Sequence, residues 1–160
     1  MPIPDFVVAL RKKIGQDELW LPSVTGLVLD GQDRVLLVQR RDNRLWTLVT
    51  GILDPGEEPA AGVRREIEEE TAVRAVVERV LAVEVSGPVT FDNGDRSVFL
   101  DTALLCRAVG GRARVNDDES VDVGWFAVAD MPGLPEREDR ILRRFLDGGA
   151  DTWFEPGGQA

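Results

Sequence analysis

Residues 51–73 read Gly51-Ile52-Leu53-Asp54-Pro55-Gly56-Glu57-Glu58-Pro59-Ala60-Ala61-Gly62-Val63-Arg64-Arg65-Glu66-Ile67-Glu68-Glu69-Glu70-Thr71-Ala72-Val73. Pro59 suits the first position of a helix, and Ala60, Val63 and Ile67 recur at the spacing of a buried stripe. In that helix Glu66, Glu69 and Glu70 fall at i, i+3 and i+4, so their carboxylates gather on one face. Like charges at that spacing repel by roughly 0.2–0.5 kcal/mol. A hard divalent cation removes the repulsion, and oxygen-only donors suit Mg2+ or Mn2+. The stretch therefore predicts a helix that carries a metal site.

Written as spacing, Gly51 is followed after five residues by Glu57, and after seven more by Arg65-Glu66-Ile67-Glu68-Glu69-Glu70-Thr71-Ala72-Val73. This pattern resembles the signature of the Nudix hydrolases, which cut nucleoside diphosphates linked to another group. Eight of the nine positions the signature specifies match; Ala72 stands where the family usually has Gly. Six exact matches at fixed spacing arise by chance on the order of once per million windows. The bland alternative is an acidic surface helix with Arg65 paired to Glu69, and it explains neither Gly51 nor Glu57.

The resemblance implies an α/β fold, an α/β/α sandwich around a central mixed β-sheet. It implies that Glu66 and Glu70 are principal metal ligands, that Glu69 assists and that the Gly51 carbonyl contributes. Arg65 is expected to hold the loop against the helix through Glu57, with contact to phosphate as the alternative. Glu58, Arg64 and Glu68 face other directions and are expected in solvent. Relatives often place a further acidic ligand or base in a loop before the Trp125-Phe126 pair, and Glu119 is the expected residue, with Asp117 or Asp118 as substitutes. The sequence departs from the family at Leu48-Val49-Thr50-Gly51, where many relatives have Leu-Pro-Gly-Gly, and at Asp54, usually Glu. Ala72 replaces a helix-stop glycine, at a cost of about 1 kcal/mol if the residue is left-handed.

Composition narrows the rest. The 160 residues fit one domain, 1–160, with residues 1–18 as a helical extension and 150–160 as a loose tail. The chain has 19 Lys and Arg against 29 Asp and Glu, a net charge of −10, which argues against nucleic-acid polymers and membrane surfaces as partners. Histidine is absent and Cys106 is the sole cysteine, which removes imidazole bases, Ser-His-Asp triads, disulfides and the common zinc sites. No run of 18 apolar residues offers a membrane span, and the amino terminus lacks the order of a signal peptide. A cytoplasmic enzyme is the expectation.

Outside the motif, residues 4–15 predict a helix ending at Gly15, and its exposed Phe6, Val7 and Leu10 suggest a homodimer. Ser23–Leu29 and Val35–Gln39 predict strands joined at Asp30-Gly31, and residues 46–48 a short strand before Gly51. A long strand is expected over Ala75–Val85, broken at Gly87-Pro88. Asn93-Gly94 marks a hairpin leading into Ser97–Arg107. Val121–Phe126 predicts another strand, and Glu136–Leu146 a helix burying Ile141, Leu142, Phe145 and Leu146. Trp20, Trp46, Phe91 and Phe99 are the aromatic candidates for stacking on a nucleobase, Trp20 ahead of the others; Trp46, beside the motif, resembles a structural residue of the family, and Cys106 is expected in the core.

A small nucleotide is the expected substrate. Pro88, fifteen residues beyond Val73, and the amino-terminal helix leading into Leu19-Trp20-Leu21-Pro22 resemble the ADP-ribose pyrophosphatase-like branch. A nucleotide sugar such as ADP-ribose is therefore the first expectation, and housecleaning of (d)NTPs, oxidised ones included, the second. A non-catalytic nucleotide-binding regulator is a third, disfavoured by retention of every motif glutamate.

Overall fold

The computed structural model describes residues 3–157; Met1 and Pro2 of the expected extension, and Gly158, Gln159 and Ala160 of the expected tail, lie outside them. The elements run α1 (Asp5–Ile14), β1 (Leu19–Leu29), β2 (Val35–Arg40), β3 (Trp46–Thr47), β4 (Val49–Ile52), α2 (Pro59–Thr71), β5 (Val73–Thr90), β6 (Arg96–Gly111), β7 (Ser120–Phe126), α3 (Glu136–Leu146) and β8 (Trp153–Phe154). The sheet is mixed. β1 and β6 lie parallel along the whole of β1, β5 and β8 are parallel, and the other pairs are antiparallel. Its order is β3-β2-β1-β6-β5-β8, with β4 also on β1 and β7 also on β2.

Two apolar layers make the sandwich. On one face α2 lays Val63 and Ile67 on Val24, Val28, Leu104 and Cys106. On the other, α3 lays Ile141 and Leu142 on Leu27, Leu37, Leu81 and Ala103. Each fully buried aliphatic side chain contributes about 1.5–3 kcal/mol, so these two stripes fix how both helices sit. α3 also carries acidic residues in its first turn and Arg143 and Arg144 in its last, in the sense its dipole favours. Trp46 packs edge-on to Phe126 with ring centroids 4.9 Å apart, the structural role expected of it. Cys106 is buried in the core as expected, which pushes its thiol up to about 12.

Several expectations need correction. Ala60 is exposed, and the buried face of α2 is instead Gly62, Val63, Glu66, Ile67, Glu70 and Thr71. Leu146 is half-exposed because α3 ends there. Gly87-Pro88 does not end β5; the ladder absorbs them in a register shift between Ser86 and Val89. The region before Gly51 is two strands, so Gly51 itself lies in β4, opposite Val24. The tail is not wholly loose, because Trp153 and Phe154 pair with Ala82 and Val83. On α1, Val7 is buried and Phe6 half-buried against Leu21 and Ile52. This removes most of the apolar face offered for dimerisation.

β5, at 18 residues, spans about 60 Å, whereas the 13-residue α2 spans about 20 Å. The sheet therefore overhangs its helix. On the far side the overhang is covered by α1, through Leu21 and Phe99. On the α2 side the register aligns Trp20 with Val98, Pro22 with Leu100, Leu100 with Val85 and Val83 with Phe154. Among the described residues no helix covers this strip, and Trp20 and Phe154 remain 58% and 63% exposed.

Candidate active site

β4 and α2 meet where Gly51 faces Glu66. A Cβ at Gly51 would overlap the Cγ and Cδ of Glu66, so only glycine lets the strand lie this close to the helix. Glu66 is consequently 2% exposed. Burial raises its carboxyl above the ordinary value, and the hydrogen bond from Arg65 opposes that rise.

Arg65 organises the start of the motif. Its Nε and Nη2 donate to the two oxygens of Glu57 at 2.9 and 2.8 Å, the fork geometry in which guanidinium binds carboxylate most specifically. Its Nη1 reaches Glu66 at 2.8 Å and Glu69 at 3.2 Å. Glu57 also accepts the Asp54 N–H at 3.1 Å, so the loop is closed onto the helix. The guanidinium holds Glu57 below the usual carboxylate range. The loop-holding role expected of Arg65 is thus present, and so is its pair with Glu69.

One turn on, Glu70 is 7% exposed and lines a groove of about 410 Å3 with Thr47, Thr50, Arg40, Phe91 and the 117–120 loop. Burial pushes its carboxyl up to about 8, and the carboxylates of Glu66 and Asp117 add to the rise. The loop is brought here by the end of α2, whose last carbonyls need donors. Asn116 supplies them: its backbone N–H donates to the Glu70 carbonyl at 3.2 Å and its Nδ2 to those of Glu68 and Glu69 at 3.0 and 3.1 Å. Arg41 ties down the far side, with its N–H on the Glu119 carbonyl and its Nε on that of Asp118.

Within this loop Asp117, Asp118 and Glu119 all line the groove, and Glu119 is exposed. Asp117 has the more pointed position. Its Oδ1 accepts the Ser120 N–H at 2.9 Å, while its buried Oδ2 has no hydrogen-bond partner among the described residues. Glu69 is exposed at the edge of a neighbouring cleft with Glu66, Arg65 and Ile3. Phe91 lines the groove from the tip of the β5–β6 hairpin. Trp20 lies apart, on the bare strip beyond α2.

The groove continues into a chamber of about 590 Å3 on the α3 side, sharing Arg40, Asp42, Thr47, Thr50 and Phe91 with it. Its floor was not anticipated. Glu138 is 7% exposed, and its Oε2 accepts the Leu48 N–H at 2.6 Å. Burial pushes it up to about 7, opposed by that bond and by Arg137 and Arg40. Asp101 accepts hydroxyls from Ser23 and Thr25 and pairs with Arg137. Glu138 sits three and four residues before Ile141 and Leu142, on their stripe, and that placement of a carboxylate was the available signal.

Mg2+ or Mn2+ fits this donor set by chemistry. Glu66 and Glu70 are carboxylates desolvated enough to resist ionising alone, and a dication offsets that cost. Among the described residues no three acidic groups converge on one point: Glu69 turns to Arg65 in the neighbouring cleft while Glu70 lines the groove, so the gathering of three carboxylates expected of α2 is not assembled here.

Comparison with known proteins gives the family and the fold. The NUDIX domain family matches residues 19–147. The chain is 34% identical over 104 residues to a MutT-like protein of Streptomyces ambofaciens, covering 65% of this chain and 62% of that one. It is 33% identical over 145 residues to human 8-oxo-dGDP phosphatase NUDT18, covering 87% of this chain and 40% of that one. It is 30% identical over 130 residues to a putative 8-oxo-dGTP diphosphatase of Bacillus subtilis, covering 79% and 80%. The chain thus spans less than two thirds of the length of the first two relatives, 62% and 40%. In fold it resembles an ADP-ribose pyrophosphatase of Streptococcus suis, at TM-score 0.64 and 23% identity, over 84% of this chain and 98% of that one.

Proposed function

The chain belongs to the Nudix family, and from that premise we propose that it hydrolyses a phosphoanhydride in a small nucleotide, releasing a nucleoside monophosphate. The observation that carries this reading is Glu70, buried on the wall of the groove across from the 117–120 loop, with Glu66 one turn before it pressed against Gly51. Mg2+ or Mn2+, when bound, neutralises phosphate oxygens and lowers the pKa of water. Glu66, Glu69, Glu70 and the Gly51 carbonyl would hold it.

The remaining work falls to the chain. Arg65 keeps Glu57, Glu66 and Glu69 in register and so sets the spacing of the ligands. The 117–120 loop brings a further carboxylate to face Glu70. Glu119 was the expected base, and Asp117, with its unpartnered buried oxygen, is the better placed to orient a water. Phe91 closes the groove and offers a stacking face.

A nucleotide sugar such as ADP-ribose is the substrate the sequence suggests first. The names of the relatives at 33% and 30% identity favour a second reading, oxidised purine nucleotides. A panel of ADP-ribose, other nucleotide sugars, (d)NTPs with 8-oxo-dGTP and 8-oxo-dGDP, and dinucleoside polyphosphates, with Mg2+, Mn2+ or EDTA, separates them. Turnover undiminished in excess EDTA would sink the proposal. A reducing, cytoplasmic setting suits the lone buried Cys106. Pairing with a second copy, if it occurs, would use the bare strip rather than α1.

A further inference from the structure

The β5–β6 hairpin runs past the end of the sheet. β1 supports β6 only as far as Leu19, opposite Ser97, and β8 supports β5 only at Ala82 and Val83. Among the described residues no further strand pairs with the tip, residues 90–96. A two-stranded ribbon by itself is marginal in water. Phe91 stands on this tip, yet it lines both the groove beside Glu70 and the chamber beyond it. Its position therefore helps to set the width of the space offered to a substrate.

α1 supplies the missing support. Arg11, in the last turn of that helix, reaches across to the hairpin. Its Nη2 donates to the Arg96 carbonyl at 2.7 Å and to the Ser97 hydroxyl at 3.3 Å, and its Nε lies 3.4 Å from a carboxylate oxygen of Asp95. Its Nη1 donates to the carbonyls of Gly15 and Asp17, so the same guanidinium also closes the end of α1. Gln16 donates to the Asn93 carbonyl at 2.7 Å, and a Cβ at Gly94 would stand 2.5 Å from its amide nitrogen. The turn closes on itself as well, with the Phe91 and Gly94 N–H groups on the Asp95 and Phe91 carbonyls at 2.9 and 2.8 Å. Nearer its start α1 packs on the sheet through Val7, against Leu21 and Ile52, and Ile3 just before it lines the same groove as Phe91. One helix thus joins the strand that carries Gly51 to the hairpin tip.

We propose that Arg11 and Gln16 are positioning residues for the substrate: by bracing the hairpin tip against α1 they hold Phe91 on the groove wall, so that a nucleotide meets a formed site instead of ordering the tip as it binds. Ordering side chains and loops on binding subtracts from affinity, and a brace made in advance removes that loss. Both residues precede residue 19, where the family match begins, so the brace belongs to the helical extension rather than to the domain that carries Glu66 and Glu70. The role rests on the nucleotide-hydrolase reading and adds to it the part of the chain that shapes the groove.

The test is a double-mutant cycle in KM, on the nucleotide turned over best, with Phe91→Ala on one side and Arg11→Met or Gln16→Ala on the other. Phe91→Ala is expected to raise KM by about tenfold, with kcat within about threefold. Arg11→Met keeps the stem and removes the donors; it should raise KM by about tenfold, and Gln16→Ala by about fivefold. In the Phe91→Ala background neither should add more than about twofold, because the side chain they position is gone. Losses that multiply overturn the proposal, since the two residues would then act on substrate by another route. Variants that melt lower with KM unchanged overturn it too, as does a Phe91→Ala without effect. If Arg11→Met does not fold, Gln16→Ala, on an exposed side chain, carries the cycle alone. If no nucleotide is turned over, the hydrolase reading fails, and amide hydrogen exchange decides the brace. In Gln16→Ala the Phe91 and Gly94 amides should then exchange about threefold faster or more, while those of Leu104 and Cys106 hold. Unchanged exchange at the tip overturns it.

Discussion

Gly51 and Glu66 compete for one volume: any Cβ on the strand residue would overlap the side chain of the helix residue. Gly51→Ala must therefore swing Glu66 out of place or part β4 from α2. Expected are a loss of turnover of about 10^2-fold or more and a fall in stability of roughly 1–3 kcal/mol, the usual cost of overpacking. Thermal unfolding and kcat on one preparation check both. An unchanged kcat would mean that Glu66 does not need its present position.

Glu70→Gln keeps the shape of the side chain and removes the charge that a cation requires. A drop in kcat of about 10^2 or more is expected, with folding retained. Glu68 is exposed on the opposite face of α2, and Glu68→Gln should stay close to wild type. Equal effects from the two would show that charge on the helix, rather than position, matters.

Metal-free protein should lose stability as pH rises. Glu70 and Glu138 are pushed up to about 8 and about 7 from 4.5. Between about pH 4.5 and 8 the folded chain thus holds more protons than the unfolded one, and stability falls with pH. The carboxylates held low, Asp30, Asp42 and Glu57, act in the opposite sense and only in acid, as pH drops below about 4. In EDTA the melting temperature should peak near pH 5 and decline toward pH 8, and Glu70→Gln should flatten the decline. Mg2+ should recover more at pH 8 than at pH 6. A melting temperature that climbs steadily from pH 5 to 8 in EDTA would contradict these shifts.

Asp117 and Glu119 can be set against each other. Asp117→Asn should lower kcat by about 10^2-fold, with little change in KM, if its buried Oδ2 orients the attacking water. Glu119→Gln should then remain within about threefold of wild type. The reverse pattern would restore Glu119 as the base, and loss of neither would leave that task to α2.

Ala72 sits at φ 58, in left-handed backbone, as the cap of α2. Ala72→Gly should therefore stabilise the protein by about 0.5–1 kcal/mol, or about 1–4 °C for a chain of this size. Calorimetry at pH 7 measures it directly. A lower melting temperature would mean that the alanine methyl contributes packing worth more than the strain.

Much of this was legible in the sequence because period and turn chemistry are local. Pro59, Asn93-Gly94 and the Ile141-Leu142 stripe each mark their elements without help from the rest of the chain. What escaped notice depends on partners distant in sequence. Glu66 and Glu70 share a face with Val63 and Ile67, yet nothing in α2 alone says that Gly51 will press against that face. Asn116 looks like one more polar loop residue until the α2 carbonyls stand before it. Glu138 differs from Glu136 and Asp139 only through Leu48, ninety residues away. β8 is two residues long, too short for any pattern to register.

The uncovered strip from Trp20 to Phe154 governs how this protein behaves in concentrated solution. A molecule at −10 is kept from its neighbours by repulsion reaching about 8 Å at physiological ionic strength and only about 3 Å at 1 M salt. Its colloidal stability is thus electrostatic, and exclusion of sulfate from apolar surface works against it. Rising ammonium sulfate should drive reversible clustering well before unfolding, and one acidic side chain at Val85, in the middle of the strip, should raise the salt needed.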